Sequence, residues 1–331
     1  ALVLFTDAAD ADLGVLRGSL RIPRRLLLAG LPLTILLGFA AAALLLPGLS
    51  VLEALVLATM LAPTDAALGA AVVTNPAVPA RIREALNVES GLNDGICVPF
   101  LFTFLAVAVG LGDGETTASV AIRLLVEEIG IGLAAGLGCT LLGGWILRTC
   151  ARRDWVSDAW VPLTVVSLAL LCFASAQVAG GSGFIACFVG GMAFGALVPR
   201  HKERLLAGAE GSGKALALVT WVSFGAAAVV PQLSSIDVPI LVYALLSLTV
   251  VRMLPVFLSL AGLGLPLRES LFIGWFGPRG LASIVFAVVV AGEDLPGSAT
   301  LSAVVVCTVV LSILLHGASA EPLAARYGRE A

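Results

Sequence analysis

Long apolar runs separated by short polar breaks cover almost the whole chain. A membrane-spanning helix needs about 20 mostly apolar residues, so the runs predict about ten or eleven transmembrane helices. Numbered in chain order, the predicted spans are 1–13 (short and carrying acids), 26–46, 49–73, 88–111, 122–147, 159–178, 183–198, 215–233, 238–260, 270–291 and 299–318. The longest polar segment, 199–214, is predicted to be a loop. We therefore predict an all-α polytopic membrane protein, with residues 1–331 forming a single transmembrane domain and no soluble domain.

The composition agrees with this pattern. Hydrophobic residues make up 59% of the 331 positions and charged residues 12%, whereas soluble domains have roughly 45–50% and about 25%. The mean hydropathy of +1.06 excludes a globular enzyme with a large core. The net charge of −3 says nothing about partners, because the charges are sorted by side of the membrane. We expect a lipid bilayer around the chain, no nucleic acid and no cofactor; the six scattered cysteines are interpreted as free buried thiols.

The basic residues predict the topology. All of the 19 Lys and Arg residues except Arg123, Arg252 and Arg279 follow odd-numbered spans, whereas the loops after even-numbered spans carry acids such as Asp113 and Glu115. Cytoplasmic loops carry the excess of Lys and Arg. The C-terminus is therefore predicted to be cytoplasmic and residue 1 outside, in a multi-pass protein of the cell inner (plasma) membrane. The chain opens without a starting Met or a basic n-region, so it is expected to begin partway through its natural protein.

Two predicted spans are interrupted near their middles. Pro63 in the third span has no N–H, so the carbonyl of Thr59 is predicted to lose its helical partner, and Gly-Pro-Arg-Gly at 277–280 has the same effect in the tenth span. Broken helices at corresponding places in two halves indicate a transport site at the midplane. Two ordinary proline kinks are the structural alternative. Asp65 and Arg279 lie at the breaks, and charges inside a membrane favour the functional interpretation.

The fourth span carries a further carboxylate. Asp94 follows Ser90 by four residues, so the two share one ridge of the helix, and Glu89 and Asn93 share the neighbouring ridge. Hard cations take oxygen ligands, and Asp94, Ser90, Thr64 and freed carbonyls supply only oxygens to Na⁺. A carboxylate that binds either a proton or a cation couples two fluxes if the site faces one side at a time. The structural alternative for Asp94 is a packing carboxylate tied to an amide.

A buried Glu without an Arg is costly, and the only arginines deep in apolar spans are Arg252 and Arg279. We therefore interpret Glu89 as half of a structural ion pair with Arg252. Arg279 is predicted to neutralise the carbonyl ends of the broken tenth span.

These motifs together resemble those of the sodium/proton exchanger family, the first monovalent cation:proton antiporter family, in its bacterial form. They are A-P-T-D at 62–65, E-S-G-L-N-D-G at 89–95 and G-P-R-G at 277–280, with further similarity at 4–17 and 252–256. The resemblance covers nearly the whole chain. It implies an inverted-repeat antiporter fold of about 13 helices with two interrupted crossing helices, a homodimer, and elevator-like movement of one domain. The chain starts near the family's third helix, so about two N-terminal helices are expected to be missing.

The resemblance also implies roles for single residues. Asp94 resembles the family's essential ion-binding Asp, and Thr64 and Ser90 match its additional Na⁺ ligands. Asp65 and Asn93 match the pair that braces the crossing helices, beside the ion and proton site.

Two further positions carry implications of the resemblance. Glu89 matches the family's ion-paired Glu. Relatives with two adjacent acids at the position of Asn93 and Asp94 tend to be electrogenic, so Asn93 implies electroneutral exchange.

We therefore expect a secondary active transporter, not an enzyme, that exchanges a monovalent cation for H⁺ by alternating access and serves pH homeostasis. Na⁺ is the expected cation, with K⁺ or Li⁺ as alternatives. A cation channel or uniporter would use similar oxygens without proton exchange, but broken helices in two halves favour a transporter. An intramembrane aspartyl protease pairing Asp65 with Asp94 is the third hypothesis. Asn93, Ser90 and Thr64 fit ion coordination and not peptide hydrolysis.

Two further features receive structural interpretations. His316 is interpreted as an interfacial or solvated histidine near the cytoplasmic end of the last span. The glycine pairs 132/136 and 191/195 are interpreted as close-packing sites between helices or at a dimer contact.

Overall fold

The computed structural model describes residues 1–10, 21–65, 68–110, 125–153, 155, 157, 160–198 and 202–329, and the regular structure in these residues is entirely helical. The helices are α1 (Leu2–Asp10), α2 (Arg21–Leu45, with a π-helical turn at Leu26–Gly30), α3 (Val51–Met60), α4 (Ala70–Val73), α5 (Ala80–Gly110), α6 (Gly130–Arg152, preceded by a π-helical turn at Leu125–Ile129), α7 (Val161–Val178), α8 (Gly183–Leu197), α9 (Lys202–Ser223, continued by turns to Ser235), α10 (Val238–Leu248), α11 (Val250–Leu260), α12 (Leu267–Trp275), α13 (Leu281–Ala291) and α14 (Ser298–Arg329). The all-α prediction is confirmed for the described residues.

The described helices have the length and exposure of membrane spans. Six segments are long and apolar enough to cross a bilayer: α2, α5, α6, α9, α10 together with α11, and α14. Large apolar side chains remain exposed on their surfaces, including Leu141 and Trp145 of α6 and Leu218 and Val222 of α9. Such faces are stable against lipid tails, which are as apolar as Leu. The chain is therefore a multi-pass membrane protein.

The chain divides into two compact units. The first contains α1, α6, α7, α8 and α9 up to Thr220, and the second contains the remaining helices. In the first unit, α6 and α1 pack against α8 at glycines. A methyl group at Gly136 would collide with the backbone of Ala186, and one at Gly191 with the carbonyl of Phe5. The glycine pairs 132/136 and 191/195 are therefore close-packing sites between helices inside this unit.

The predicted loop at 199–214 is wrong over most of its length, because α9 begins at Lys202. Leu206 and Ala209, three residues apart, are fully buried in the apolar core of the first unit together with Phe5 and Phe194. The 3.6-residue period of a helix brings such positions onto one face. The charges that suggested a loop lie outside this face: Glu210 and Lys214 are 4.0 Å apart at i and i+4.

The second unit contains both predicted interruptions. The third span is α3, then a break, then the single turn α4; the tenth span is α12, then residues 276–280, then α13. Ser50 and Glu53 form a capping box at the start of α3, which satisfies two backbone N–H groups that a helix end leaves unpaired. The long helix α5 lies against both interrupted spans. The prediction of two interrupted helices is thus confirmed.

Candidate functional site

The two breaks are joined by their backbones. The N–H of Asp65 in the first break donates to the carbonyl of Pro278 in the second, at 2.8 Å. Proline at 63 and at 278 removes a helical donor from each segment, so the neighbouring backbone groups need partners elsewhere. At this point each break serves as the partner of the other.

Arg279 joins the breaks a second time. Its side chain is fully buried, and its Nη1 donates to the carbonyls of Ala62 (3.3 Å), Pro63 (3.2 Å) and Gly277 (3.2 Å). The predicted role at the tenth span alone was therefore too narrow, because the guanidinium lies on the carbonyl ends of both breaks. The prediction that the carbonyl of Thr59 lacks a helical partner was also wrong. This carbonyl accepts from the N–H of Ala62 at 3.3 Å, because the last turn of α3 is tighter than an α-helical turn.

The carboxylate of Asp65 lies at the N-terminal end of α13. Its Oδ2 accepts a hydrogen bond from the N–H of Leu281 at 2.9 Å. A negative charge at a helix N-terminus is stabilised by the helix dipole. Gly280 provides the space, since a methyl group there would collide with the Asp65 carboxylate.

Helix α5 holds the first break by two side chains. Ser90 donates to the carbonyl of Thr64 at 2.6 Å, and Nδ2 of Asn93 donates to Oγ1 of Thr64 at 2.7 Å. Ser90, Asn93 and Thr64 are all buried. The resemblance implies that Asp65 and Asn93 brace the interrupted helices. In the structure, Asn93 donates to Thr64 in the first break, and Asp65 accepts from the N-terminal end of α13 in the other interrupted span.

Asp94 is half-buried on α5. The helix is continuous from Ala80 to Gly110, so Asp94 lies one turn after Ser90, about 6 Å along the axis, on the same ridge. The structure thus brings the hydroxyl of Ser90 to Thr64 and places the Asp94 carboxylate one turn further along α5.

A small cavity lies beside these groups, with room for about one water molecule. Three of the residues that line it carry side-chain oxygens (Thr64, Asp65 and Ser90), and the other lining residues are Gly69, Val72, Val73, Leu86, Phe276 and Pro278. Asp94 is not among the lining residues. A cavity of this size, lined by three oxygen-bearing side chains among apolar ones, suits a small cation that has lost most of its water.

Glu89 and Arg252 form a two-point ion pair in the second unit. Nη1 and Nη2 of Arg252 donate to Oε1 and Oε2 of Glu89 at 2.5 and 2.8 Å, and both residues are 2% exposed. The structure therefore brings together the two residues that the sequence suggested as partners. The Arg252 guanidinium also packs on Gly277, where a methyl group would collide with its Nε.

Two buried polar side chains were missed or misread from the sequence. His316, interpreted above as interfacial, is 1% exposed and makes hydrogen bonds inside α14 and to the carbonyl of Trp275. Glu53, 3% exposed, accepts from the N–H of Gly297 at 2.6 Å and so joins α3 to the start of α14. The S-x-x-E spacing of Ser50 and Glu53 was the available signal for the second residue.

Among the described residues, no group of three or more His, Cys, Asp or Glu side chains could hold a metal ion. Any cation here would be bound by single carboxylate, hydroxyl and carbonyl oxygens.

Comparison with known proteins agrees with this geometry. The family described as "Sodium/hydrogen exchanger, transmembrane" matches residues 1–326. The K(+)/H(+) antiporter NhaP of Alkalimonas amylolytica is 30% identical over 292 residues, which are 87% of this chain and 49% of that protein. The K(+)/H(+) antiporter NhaP2 of Shewanella sp. (strain MR-4) is 28% identical over 276 residues, 81% of this chain and 46% of that protein.

A solved structure shows the same fold. The sodium proton antiporter MjNhaP1 from Methanocaldococcus jannaschii at pH 8 superimposes with a TM-score of 0.78 at 21% identity, over 99% of this chain and 83% of that one. An interrupted-helix antiporter fold is therefore the class to which the structure belongs.

The chain belongs to the sodium/hydrogen exchanger family, which is a family of transporters and not of enzymes. It spans about half the length of the curated relatives it matches.

Proposed function

We propose that the protein exchanges a monovalent cation for a proton by alternating access, with Asp94 as the carboxylate that binds either one. The observation that carries the proposal is the pairing of the two helix breaks around Thr64 and Asp65, directly beside Ser90 on α5. Backbone and side-chain oxygens meet there inside a membrane domain, where polar groups mark ion paths. Thr64 and Ser90 supply the additional oxygen ligands.

The charges at the site support electroneutral exchange of one cation for one proton. The group counted here consists of the charged residues at the two breaks (Asp65 and Arg279), the buried ion pair (Glu89 and Arg252) and Asp94. With all five ionised, the group carries one net negative charge. One proton or one monovalent cation neutralises it, so the loaded site has the same charge whichever ion it carries. Moving a net charge through the membrane would add a dependence on voltage.

Relatives that carry the names K(+)/H(+) antiporter and Na(+)/H(+) antiporter, the latter from Saccharomyces cerevisiae at 26% identity over 76% of this chain, leave both ions as substrates to be compared. Na⁺ is the first cation to test and K⁺ the second. Oxygen ligands serve both, and the selectivity depends on cavity size.

The two other hypotheses have less support. A channel needs a continuous pore, whereas the small cavity lies between paired breaks that hold each other by hydrogen bonds. An aspartyl protease needs two carboxylates that share one proton. The carboxylate of Asp65 instead accepts from the N–H of Leu281 at a helix end, which is a structural contact between the two interrupted spans.

The orientation is also a proposal. Predicted cytoplasmic segments meet at one end of the second unit: Arg81 contacts Glu269, Arg268 donates to the carbonyl of Arg326, and its guanidinium lies 4.3 Å from the ring centre of Tyr327. Basic residues gathered at one end suit the cytoplasmic face of a plasma membrane. We propose that this end, with the C-terminus, is cytoplasmic and that the protein works as a homodimer.

The test is cation-driven proton movement in proteoliposomes that contain an internal pH dye. The purified protein and its Asp94→Asn variant are compared in Na⁺ and K⁺ gradients. We expect a pH change in the parent and none in the variant, with the preferred salt identifying the cation. Cation uptake without proton movement would support a channel instead, and exchange by Asp94→Asn equal to the parent would overturn the assignment of Asp94.

A further inference from the structure

His316 lies at the centre of a buried hydrogen-bond chain between α14 and the second break. Its Nδ1 is 3.1 Å from Oγ and 3.0 Å from the carbonyl oxygen of Ser312, one turn earlier on α14, and its Nε2 is 2.9 Å from the carbonyl of Trp275. The imidazole also packs on the Trp275 indole, with ring centres 4.9 Å apart. Both polar edges of the imidazole are therefore engaged in a site with no exposure to solvent.

The chemistry of the partners defines the direction of each bond. A carbonyl only accepts, so Nε2 carries the hydrogen that reaches the Trp275 oxygen. In a neutral ring Nδ1 is then an acceptor, so of its two neighbours in Ser312 it pairs with the hydroxyl, which donates, and not with the carbonyl, which can only accept. The oxygen of Ser312 is left to accept, and it does so from the backbone N–H of Arg279 at 2.7 Å. The chain is complete with a neutral imidazole.

The two backbone groups that this hydrogen-bond chain contacts, the carbonyl of Trp275 and the N–H of Arg279, lie near the two ends of the second break. Trp275 is the last residue of α12 and Arg279 is the fourth residue after it. A helix end leaves carbonyls without helical partners, and a buried backbone N–H outside a helix needs one as well. Ser312 and His316 supply both from a third helix, α14, which is continuous on each side of them.

The segment held in this way is the one that meets the cation ligands. Within it, Pro278 accepts from the N–H of Asp65, and Arg279 donates to the carbonyls of Ala62 and Pro63. A shift of this segment along α14 would therefore move the backbone on either side of Thr64.

We propose that Ser312 and His316 are positioning residues of the cation site, which hold the second break by its backbone and thereby fix the first break at Thr64 and Asp65. This inference rests on the proposed function, because it assigns the pair a role in the affinity for the transported cation. The imidazole acts as a neutral hydrogen-bonding bridge.

The experiment compares Ser312→Ala, His316→Leu and His316→Gln in proteoliposomes, with cation affinity and maximal rate determined separately at several pH values. Ser312→Ala and His316→Leu each break the chain, and we expect the cation concentration for half-maximal exchange to rise about fivefold, the size of one lost buried hydrogen bond. A glutamine amide can donate to Trp275 and accept from Ser312, so His316→Gln is expected to retain the parent affinity and pH profile.

Thr308→Ala is the matched control. Thr308 is a buried hydroxyl on the same helix, and its bond runs only to the carbonyl of Val304 at 2.7 Å. We expect its cation affinity to equal that of the parent. Thermal melting in detergent, run in parallel, separates loss of folded protein from loss of affinity.

Three results would overturn the inference while the parent still exchanges ions. The first is a Ser312→Ala affinity equal to that of Thr308→Ala. The second is that Ser312→Ala and His316→Leu lower only the maximal rate, by the same fraction as they lower the amount of folded protein, and leave the cation affinity unchanged. The third is a shifted pH profile in His316→Gln, which would mean that the ring acts by titration. Absence of exchange in the parent would instead overturn the proposed function together with this inference.

Discussion

The backbone N–H of Leu281 donates a 2.9 Å hydrogen bond to the carboxylate of Asp65, so an acid of one interrupted span closes the N-terminal end of the other. The bond places a negative charge at the positive end of the α13 dipole. It also holds Asp65 in place directly after Thr64. The hydroxyl of Thr64 accepts from Asn93, and its carbonyl accepts from Ser90. The stability of the paired breaks and the geometry of the proposed cation site therefore depend on the same contact.

This contact predicts different losses for two substitutions of Asp65. Asp65→Asn keeps an oxygen for Leu281 and loses the charge, so it should destabilise the protein by about 0.3–1 kcal/mol, the usual size of a helix-dipole term. Asp65→Ala loses the acceptor too and should cost about 1 kcal/mol more. SDS titration in mixed micelles measures both values. Equal losses for the two variants would mean that the hydrogen bond to Leu281 contributes nothing.

The ion pair of Glu89 and Arg252 predicts a strongly non-additive double-mutant cycle. Each single variant, Glu89→Gln or Arg252→Met, leaves one buried charge without its partner and should cost about 3–5 kcal/mol. The double variant should cost much less than the sum, because neither charge then remains. Unfolding free energies of the four proteins give the coupling directly. Additive losses would show that the pair has no energetic coupling.

Two glycines lie so close to charged side chains that replacing either with alanine should destabilise the protein. In Gly280→Ala the new methyl group would collide with the Asp65 carboxylate, and in Gly277→Ala with the Arg252 guanidinium. Each should lose about 1–3 kcal/mol, as expected for overpacking, and should also lower the exchange rate. Gly48→Ala is the control, since a methyl group there meets no atom within 4 Å. Equal melting temperatures for all three variants would contradict the packing described for the breaks.

The sequence predicted the breaks because proline removes a hydrogen-bond donor wherever it stands in a helix. It predicted the pairing of Glu89 with Arg252 because buried charges need partners and few arginines lie deep in the spans. The contacts of Arg279 with Ala62 and Pro63 could not be predicted, because spacing along the chain does not say which carbonyls a long side chain can reach. Local patterns thus located the two breaks and the ion pair, and tertiary contacts decided how the breaks are bonded.

Two sequence interpretations were wrong for a common reason, which is that hydropathy underestimates helix length. The last span was predicted to end at residue 318, which put His316 at the membrane edge, but α14 continues to Arg329 and buries it. Likewise the charges of 202–214 suggested a loop, although one apolar stripe of that segment packs in a core. Polar residues on the outer face of a helix do not end it.

The count of charges at the site predicts that Asn93→Asp makes exchange electrogenic. The added carboxylate raises the net charge of the empty group formed by Glu89, Asp65, Asp94, Arg252 and Arg279 from one negative to two. Two protons then neutralise the group, whereas one monovalent cation leaves one negative charge, so a cycle that exchanges two protons for one cation moves net charge and should respond to membrane potential. The amide of Asn93 also donates to Thr64 at 2.7 Å, and its loss should lower the cation affinity.

Exchange measured with the membrane potential held at zero and at an inside-negative value separates these two effects of Asn93→Asp. Asn93→Ser is the control, because it removes the amide without adding a charge. It should show weakened affinity and the same rate at both potentials, whereas Asn93→Asp should show a rate that changes with potential. A potential-dependent rate in the parent would contradict the charge count itself, since the five ionised groups would then not be neutralised by a single bound ion.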